Sequence, residues 1–256
     1  MPNPETFFTE AFMRWVIDRW VVIHSFRRVF RAGLSPAKPV VSAYAERIVR
    51  EYLGAPENAE LYIGAPEHRD ETMTQLAHAM AAADIENSQA SVDAASVVFA
   101  HAILDGAAFD CCRISSMIAP ADWEVQIAAR QVPLTVLKEA SREEIVRDMV
   151  EKYVATLERE SLLKKVDLLF ARCQPAAGWS PMNNYAFNRA RLEAFDQLRH
   201  DTIHGSGPRP IPNLDVELDY LSRTTFFLFG LLNHRYQLKV DLSYIARRSF
   251  GVSPAP

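Results

Sequence analysis

Residues 185–213 read YAFNRARLEAFDQLRHDTIHGSGPRPIPN. Leu192, Phe195, Leu198 and Ile203 recur at helical spacing, so 185–204 is predicted as a helix with that stripe facing in. Gly205 to Pro212 cannot continue it, because glycine ends helices and proline lacks the N–H a helix interior needs. Asn213 then opens a last long helix, expected to run to about Arg248. The helix-break-helix pattern, with no alternating run anywhere that demands a sheet, sets the fold class: all-α, a helical bundle.

The rest of the chain extends the same reading. Residues 7–32 form a first helix, basic through Arg14, Arg19, Arg27, Arg28 and Arg31, that Gly33 and Pro36 should end. Residues 38–53 read as a short second helix. Two copies of Gly-Ala-Pro-Glu, at 54–57 and 64–67, read as turns around the extended Leu61-Tyr62-Ile63. They mark the boundary between an N-terminal helical extension, 1–68, and the main bundle, 69–250. Residues 69–118 are alanine-rich and are expected to form a hairpin broken near 86–91. Pro120 and Pro133 bracket a shorter helical piece. Ser141-Arg142-Glu143-Glu144 is a capping box: the serine hydroxyl takes a backbone N–H while Glu144 reaches back. It opens a long helix with a buried stripe of Ile145, Met149, Tyr153, Leu157, Leu162, Val166 and Leu169. Residues 173–184 form a loop by composition.

The 256 residues carry 49% hydrophobic and 23% charged side chains, enough to build a sizeable core. The net charge of -4 argues against a protein that coats nucleic acid along its whole surface, though not against a local basic cleft. Cys111, Cys112 and Cys173 lack metal-ligand spacing and read as reduced, buried thiols, with no secretory signal ahead of them, so a cytoplasmic location is expected. No membrane span is expected: the apolar run 15–29 is interrupted by charges, and Thr224–Asn233 is shorter than the ~20 residues a span needs. Phe226, Phe227 and Phe229 in that run read as core or dimer interface.

Function-bearing chemistry concentrates in Arg199-His200-Asp201-Thr202-Ile203-His204-Gly205. A guanidinium holds phosphate charge, and an imidazole moves protons near neutral pH. On an ideal helix Arg199 and His204 lie about 140° apart. Unwinding at Gly205 would turn His204 back toward Arg199. Asp201 beside them repels phosphate unless it pairs or turns away.

A helix ending in Arg, a polar residue, three residues and His, followed by glycine and a terminal helix, resembles the HEPN family over roughly 69–248. Arg199, His200 and His204 match the family's motif. The resemblance implies a four- to five-helix core that forms a homodimer with two motifs facing one cleft. It implies a metal-independent endoribonuclease that needs no cofactor and acts as a toxin, a phage-defence effector or an RNA-processing enzyme, sometimes beside an antitoxin. His204 would move the 2′-hydroxyl or leaving-group proton, Arg199 would stabilise charge on the phosphorus, His200 would orient, and the product would be a 2′,3′-cyclic phosphate. Some such bundles only bind RNA, a nucleotide or a partner protein.

A rival chemistry uses the same side chains. His200 and His204, four apart, could hold zinc on one helix face as in His-Glu-x-x-His hydrolases, with Asp215, Glu217 or His234 as third ligand. His101, Asp105, Asp110, Cys111 and Cys112 share one helix, where His101 and Asp105 are expected to bond to each other. His68 and His78 are expected to face solvent.

Overall fold

The computed structural model describes residues 3–55, 68–132, 140–175, 179–182, 185–205 and 209–242. Every regular element among them is helical and none is a strand, so the chain is all-α. Helix α1 (Pro4–Phe12) is capped by Asn3, whose side chain accepts the Glu5 N–H. A π-helical turn, Met13–Asp18, leads without interruption into α2, Arg19–Gly54. The stop expected at Gly33 and Pro36 does not occur, because α2 runs through both Pro36 and Pro39. Each proline deprives one carbonyl of its helical donor. The residues around them are almost all exposed, so water can satisfy those carbonyls.

Helix α3, Arg69–Ile118, has fifty residues and spans about 75 Å. The break expected near 86–91 is also absent. This stretch holds no proline, its alanines favour helix, and Ser91 turns its hydroxyl onto the Asn87 carbonyl without opening the turn. The hairpin is instead made by α2 against α3. Trp15 Nε1 donates to Asp110 at 2.7 Å, Arg27 meets Asp93 at 2.6 Å, and Arg50 meets Asp70 at 3.3 Å, an antiparallel register along both helices.

A 3₁₀ turn (Pro120–Trp123) and α4 (Glu124–Ile127) precede α5, Arg142–Thr156. The capping box is present: Glu144 Oε2 accepts the Ser141 N–H at 2.8 Å, and Ser141 Oγ accepts the Glu144 N–H at 3.2 Å. The same backbone bond holds the Glu144 carboxyl below its ordinary range. The long helix expected from there is two. A 3₁₀ turn (Leu157–Arg159) and an extended Glu160 end the first, and the Ser161 side chain caps α6 (Leu162–Cys173). The stripe holds in α6, but in α5 Val150 and Val154 are buried while Ile145, Met149 and Tyr153 are only half-buried. Helix α7 is Arg189–His204, capped by Asn188, and α8 is Leu214–Tyr236, stopped by a left-handed Gln237. The helix expected to reach about Arg248 thus ends twelve residues early, because Gln237 and Lys239 take left-handed backbone. The Gly-Ala-Pro-Glu pair beyond Ala55 and part of the 173–184 loop lie outside the described residues.

The N-terminal helix is not an appendage to the bundle. Phe8, Phe12 and Trp20 are fully buried in the main core with α8. Phe8 meets Phe229 edge-on at 5.5 Å, Phe12 meets Phe226 and Phe229 at 5.8 and 5.6 Å, and Trp20 Nε1 donates to Thr225 at 3.1 Å. The boundary expected between 68 and 69 therefore divides one core. Only the distal half of α2 and the first turns of α3 stand apart, around a small cluster of Ala45, Val49, Met73, Ala77 and Ala81. The three cysteines are free and buried, and burial pushes Cys173 up to about 12. Helix α3 also contains an 18-residue window of mean hydropathy 1.4, long and apolar enough to cross a membrane by composition, against the expectation that no segment is; 44% of it is buried inside the bundle.

Two stability predictions follow from this packing. A Cβ on Gly106 would sit 2.5 Å from the Trp15 ring, which is pinned by its bond to Asp110. Gly106→Val is expected to cost about 1–3 kcal/mol through overpacking, read from the urea midpoint. His24, beside Trp20, has its pKa held below the ordinary 6.5 by burial, which outweighs the pull of Asp219 and Asp215. The unfolded chain therefore binds the proton more readily than the folded one. Stability should be fullest above pH 6.5 and fall as pH drops through and below that value, and His24→Gln should flatten the slope of melting temperature against pH there.

Candidate functional site

Helix α7 is fixed first at its N-terminal end. Arg189 makes a bidentate pair with Asp167 of α6, both bonds at 2.9 Å, and Arg191 grips Glu217 of α8 at 2.9 and 3.0 Å while lying over the Tyr220 ring. Leu192 and Phe195 enter the core. One turn on, Asp196 Oδ1 lies 2.7 Å from His101 Nε2 of α3. That bond, across ninety-five residues of sequence, ties the motif-bearing half of α7 to the central helix.

Beyond the tie come the three motif residues. Arg199 is half-buried, while His200 and His204 are exposed with ring centroids 4.7 Å apart. The unwinding expected at Gly205 does not happen. The Gly205 N–H still closes a regular bond to the Asp201 carbonyl at 2.8 Å, which keeps His204 in helical geometry. His204 consequently lies beside His200, the two rings tilted by 49°, and stays about 140° from Arg199. Asp201 accepts from Gln197 at 2.7 Å, one turn back, rather than from Arg199.

His101 and Asp105 do not bond to each other as expected. Asp105 instead receives the buried Lys165 ammonium at 2.6 Å, and His101 takes Asp196. The His101–Asp196 pair was missed in the sequence, although a signal existed: Asp196 stands three and four residues before Arg199 and His200, on their side of the helix. None of the three side chains considered as third zinc ligand is free for it among the described residues. Asp215 is held by Arg27 and Arg31, Glu217 by Arg191, and His234 stacks on Trp179 at 4.6 Å. Among the described residues no three His, Cys, Asp or Glu side chains gather to hold a metal. His68 is exposed, as is His78.

No match to this chain is found among models of known families, curated proteins or solved structures. The site is therefore read from its own geometry. Clefts of about 460 and 500 Å³ lie beside α5 and between α2 and α3, and α7 lines neither. In a single chain the half-buried cation and the exposed imidazoles of the motif face different ways around α7.

Proposed function

We propose that the chain is a metal-independent endoribonuclease of HEPN type, acting as a toxin, defence or RNA-processing effector. The observation that carries this reading is the placement of Arg199, His200 and His204 at the solvent-facing end of α7, braced by Asp196 on His101, ahead of the core helix α8. His204 takes the 2′-hydroxyl proton or returns one to the leaving oxygen. Arg199 stabilises the charge that builds on the phosphoryl oxygens. The 2′-oxygen displaces the 5′-oxygen and leaves a 2′,3′-cyclic phosphate. Because Arg199 and His204 of one chain diverge by about 140°, a homodimer that apposes two α7 ends supplies the imidazole from one copy and the guanidinium from the other.

The divergence also favours a second reading, a module that binds RNA, a nucleotide or a partner protein without cleaving. The test is a labelled single-stranded RNA incubated in EDTA with wild type and with His204→Ala. Cyclic-phosphate ends from wild type alone support the nuclease. Retained binding with no cleavage across several RNAs moves the assignment to the binding module.

A further inference from the structure

The α2–α3 hairpin leaves its outer face apolar. Val22, Phe26, Val29 and Gly33 follow one another at spacings of four, three and four, a continuous stripe along α2, and the three side chains are 64, 53 and 72% exposed. Phe99 of α3 lies beside the stripe and is 63% exposed. Between the helices run two grooves in line. One, of about 500 Å³, is walled by Phe26, Phe99 and Arg19; the other, of about 330 Å³, by Gly33, Ala37, Ser88 and Asp84.

We infer that this face is a self-association surface on which a second copy of the chain docks antiparallel, with the two-fold axis crossing α2 at Val29. Three features point to a copy of this chain rather than another occupant. The first is shape. Residues about equidistant from the Val29 level face each other across the axis, so Phe26, three positions before it, falls beside Gly33, four positions after it, of the second copy, where a Cβ would meet nothing within 4 Å. The hairpin register, fixed by Trp15–Asp110, Arg27–Ser96 and Arg50–Asp70, places Phe99 opposite Ser88 in the same way. Each large side chain meets a small one, the self-complementarity a two-fold interface requires.

The second is charge. Arg19 at one end of the face comes to the level of Asp84 at the other end, and neither has an ion-pair partner among the described residues. The third is area. With ~150–250 Å² for a whole aromatic side chain, the exposed parts of these apolar residues leave on the order of 500 Å² open, and their flanks bring it toward the ~800 Å² per partner of a stable interface. The face is separate from the proposed nuclease site. His101, which braces α7, is turned about 200° around α3 from Phe99, so docking leaves Arg199 and His204 uncovered.

The test is the solution mass of the full chain by sedimentation. Phe26→Glu and Phe99→Glu, both exposed and so compatible with folding, should each halve the wild-type mass with the helical spectrum unchanged. The halving is expected whether or not the copies also pair through α7, and His204→Ala should leave the mass alone. Arg19→Glu should weaken association, and adding Asp84→Arg should restore it. Val29→Cys should form a disulfide-linked dimer on mild oxidation, because the native cysteines are buried, while Val125→Cys, 81% exposed on α4, should not. A wild type whose mass the two glutamates leave unchanged overturns the surface. A Val29→Cys variant that stays uncrosslinked overturns the antiparallel register.

Discussion

Arg27→Ala is expected to lower the unfolding free energy by about 3–5 kcal/mol, the cost of leaving one member of a buried ion pair without the other. Arg27 is 3% and Asp93 4% exposed. The guanidinium donates to Asp93 at 2.6 Å, to Ser96 at 3.2 Å and to Asp215 at 3.1 Å, while its Nη2 is buried without a partner. Removing it strands the Asp93 carboxylate in the core. Asp93→Ala should cost less, because the guanidinium keeps Asp215. The double variant Arg27→Met/Asp93→Leu should recover much of the loss, since it removes both buried charges. It should not recover all, because Asp93 also accepts the Ile211 N–H at 3.3 Å, and an orphaned buried N–H costs about 1–3 kcal/mol. Urea denaturation of the three variants decides it. An Arg27→Ala midpoint close to wild type would mean that the pair contributes little beyond an apolar contact. The network also reaches the candidate site, because Ile211 and the first turn of α8, at Asp215, anchor the chain that follows the motif.

The legible parts of this fold are those whose cause is local. The capping box at Ser141 lies within four residues and forms as written. The Phe226–Phe229 run is apolar on every side and is buried on every side. Gly33 and Pro36 misled because a helix stop is a local preference, whereas α2 is carried past it by packing along α3, visible only once the two are side by side. The missed break at Glu160 was within reach, since Ser161 ahead of Leu162 is an ordinary N-cap signal; the continuous apolar stripe on either side hid it. The residue types of the motif were legible in Arg199, His200 and His204. Their geometry was not, because it depends on one glycine keeping a helical hydrogen bond and on the contact of Asp196 with His101, far away in the chain.

His204→Ala should reduce RNA cleavage by about 10²–10⁴-fold, the usual worth of a positioned proton-transfer group. Arg199→Ala should lose a comparable factor, and Arg199→Lys should not restore it. A lysine carries the charge but lacks the planar fork that meets two phosphoryl oxygens at once. Gly205→Ala should weaken cleavage without touching substrate, since a Cβ there would collide with the Asp201 carbonyl and force the last turn, and His204 with it, to shift. The deciding experiment mixes two inactive proteins. If the site took Arg199 and His204 from one chain, Arg199→Ala and His204→Ala would stay inactive together. The regular helix holds those residues about 140° apart, and the proposed homodimer joins the guanidinium of one copy to the imidazole of the other, so the mixture should regain a share of wild-type activity. In the mixed dimer the intact His204 of one copy faces the intact Arg199 of the other. An inactive mixture whose subunits are shown to exchange would exclude the shared site. It would require α7 to unwind at Gly205 on binding RNA, a change that the loss of the Gly205–Asp201 hydrogen bond would report as faster amide exchange.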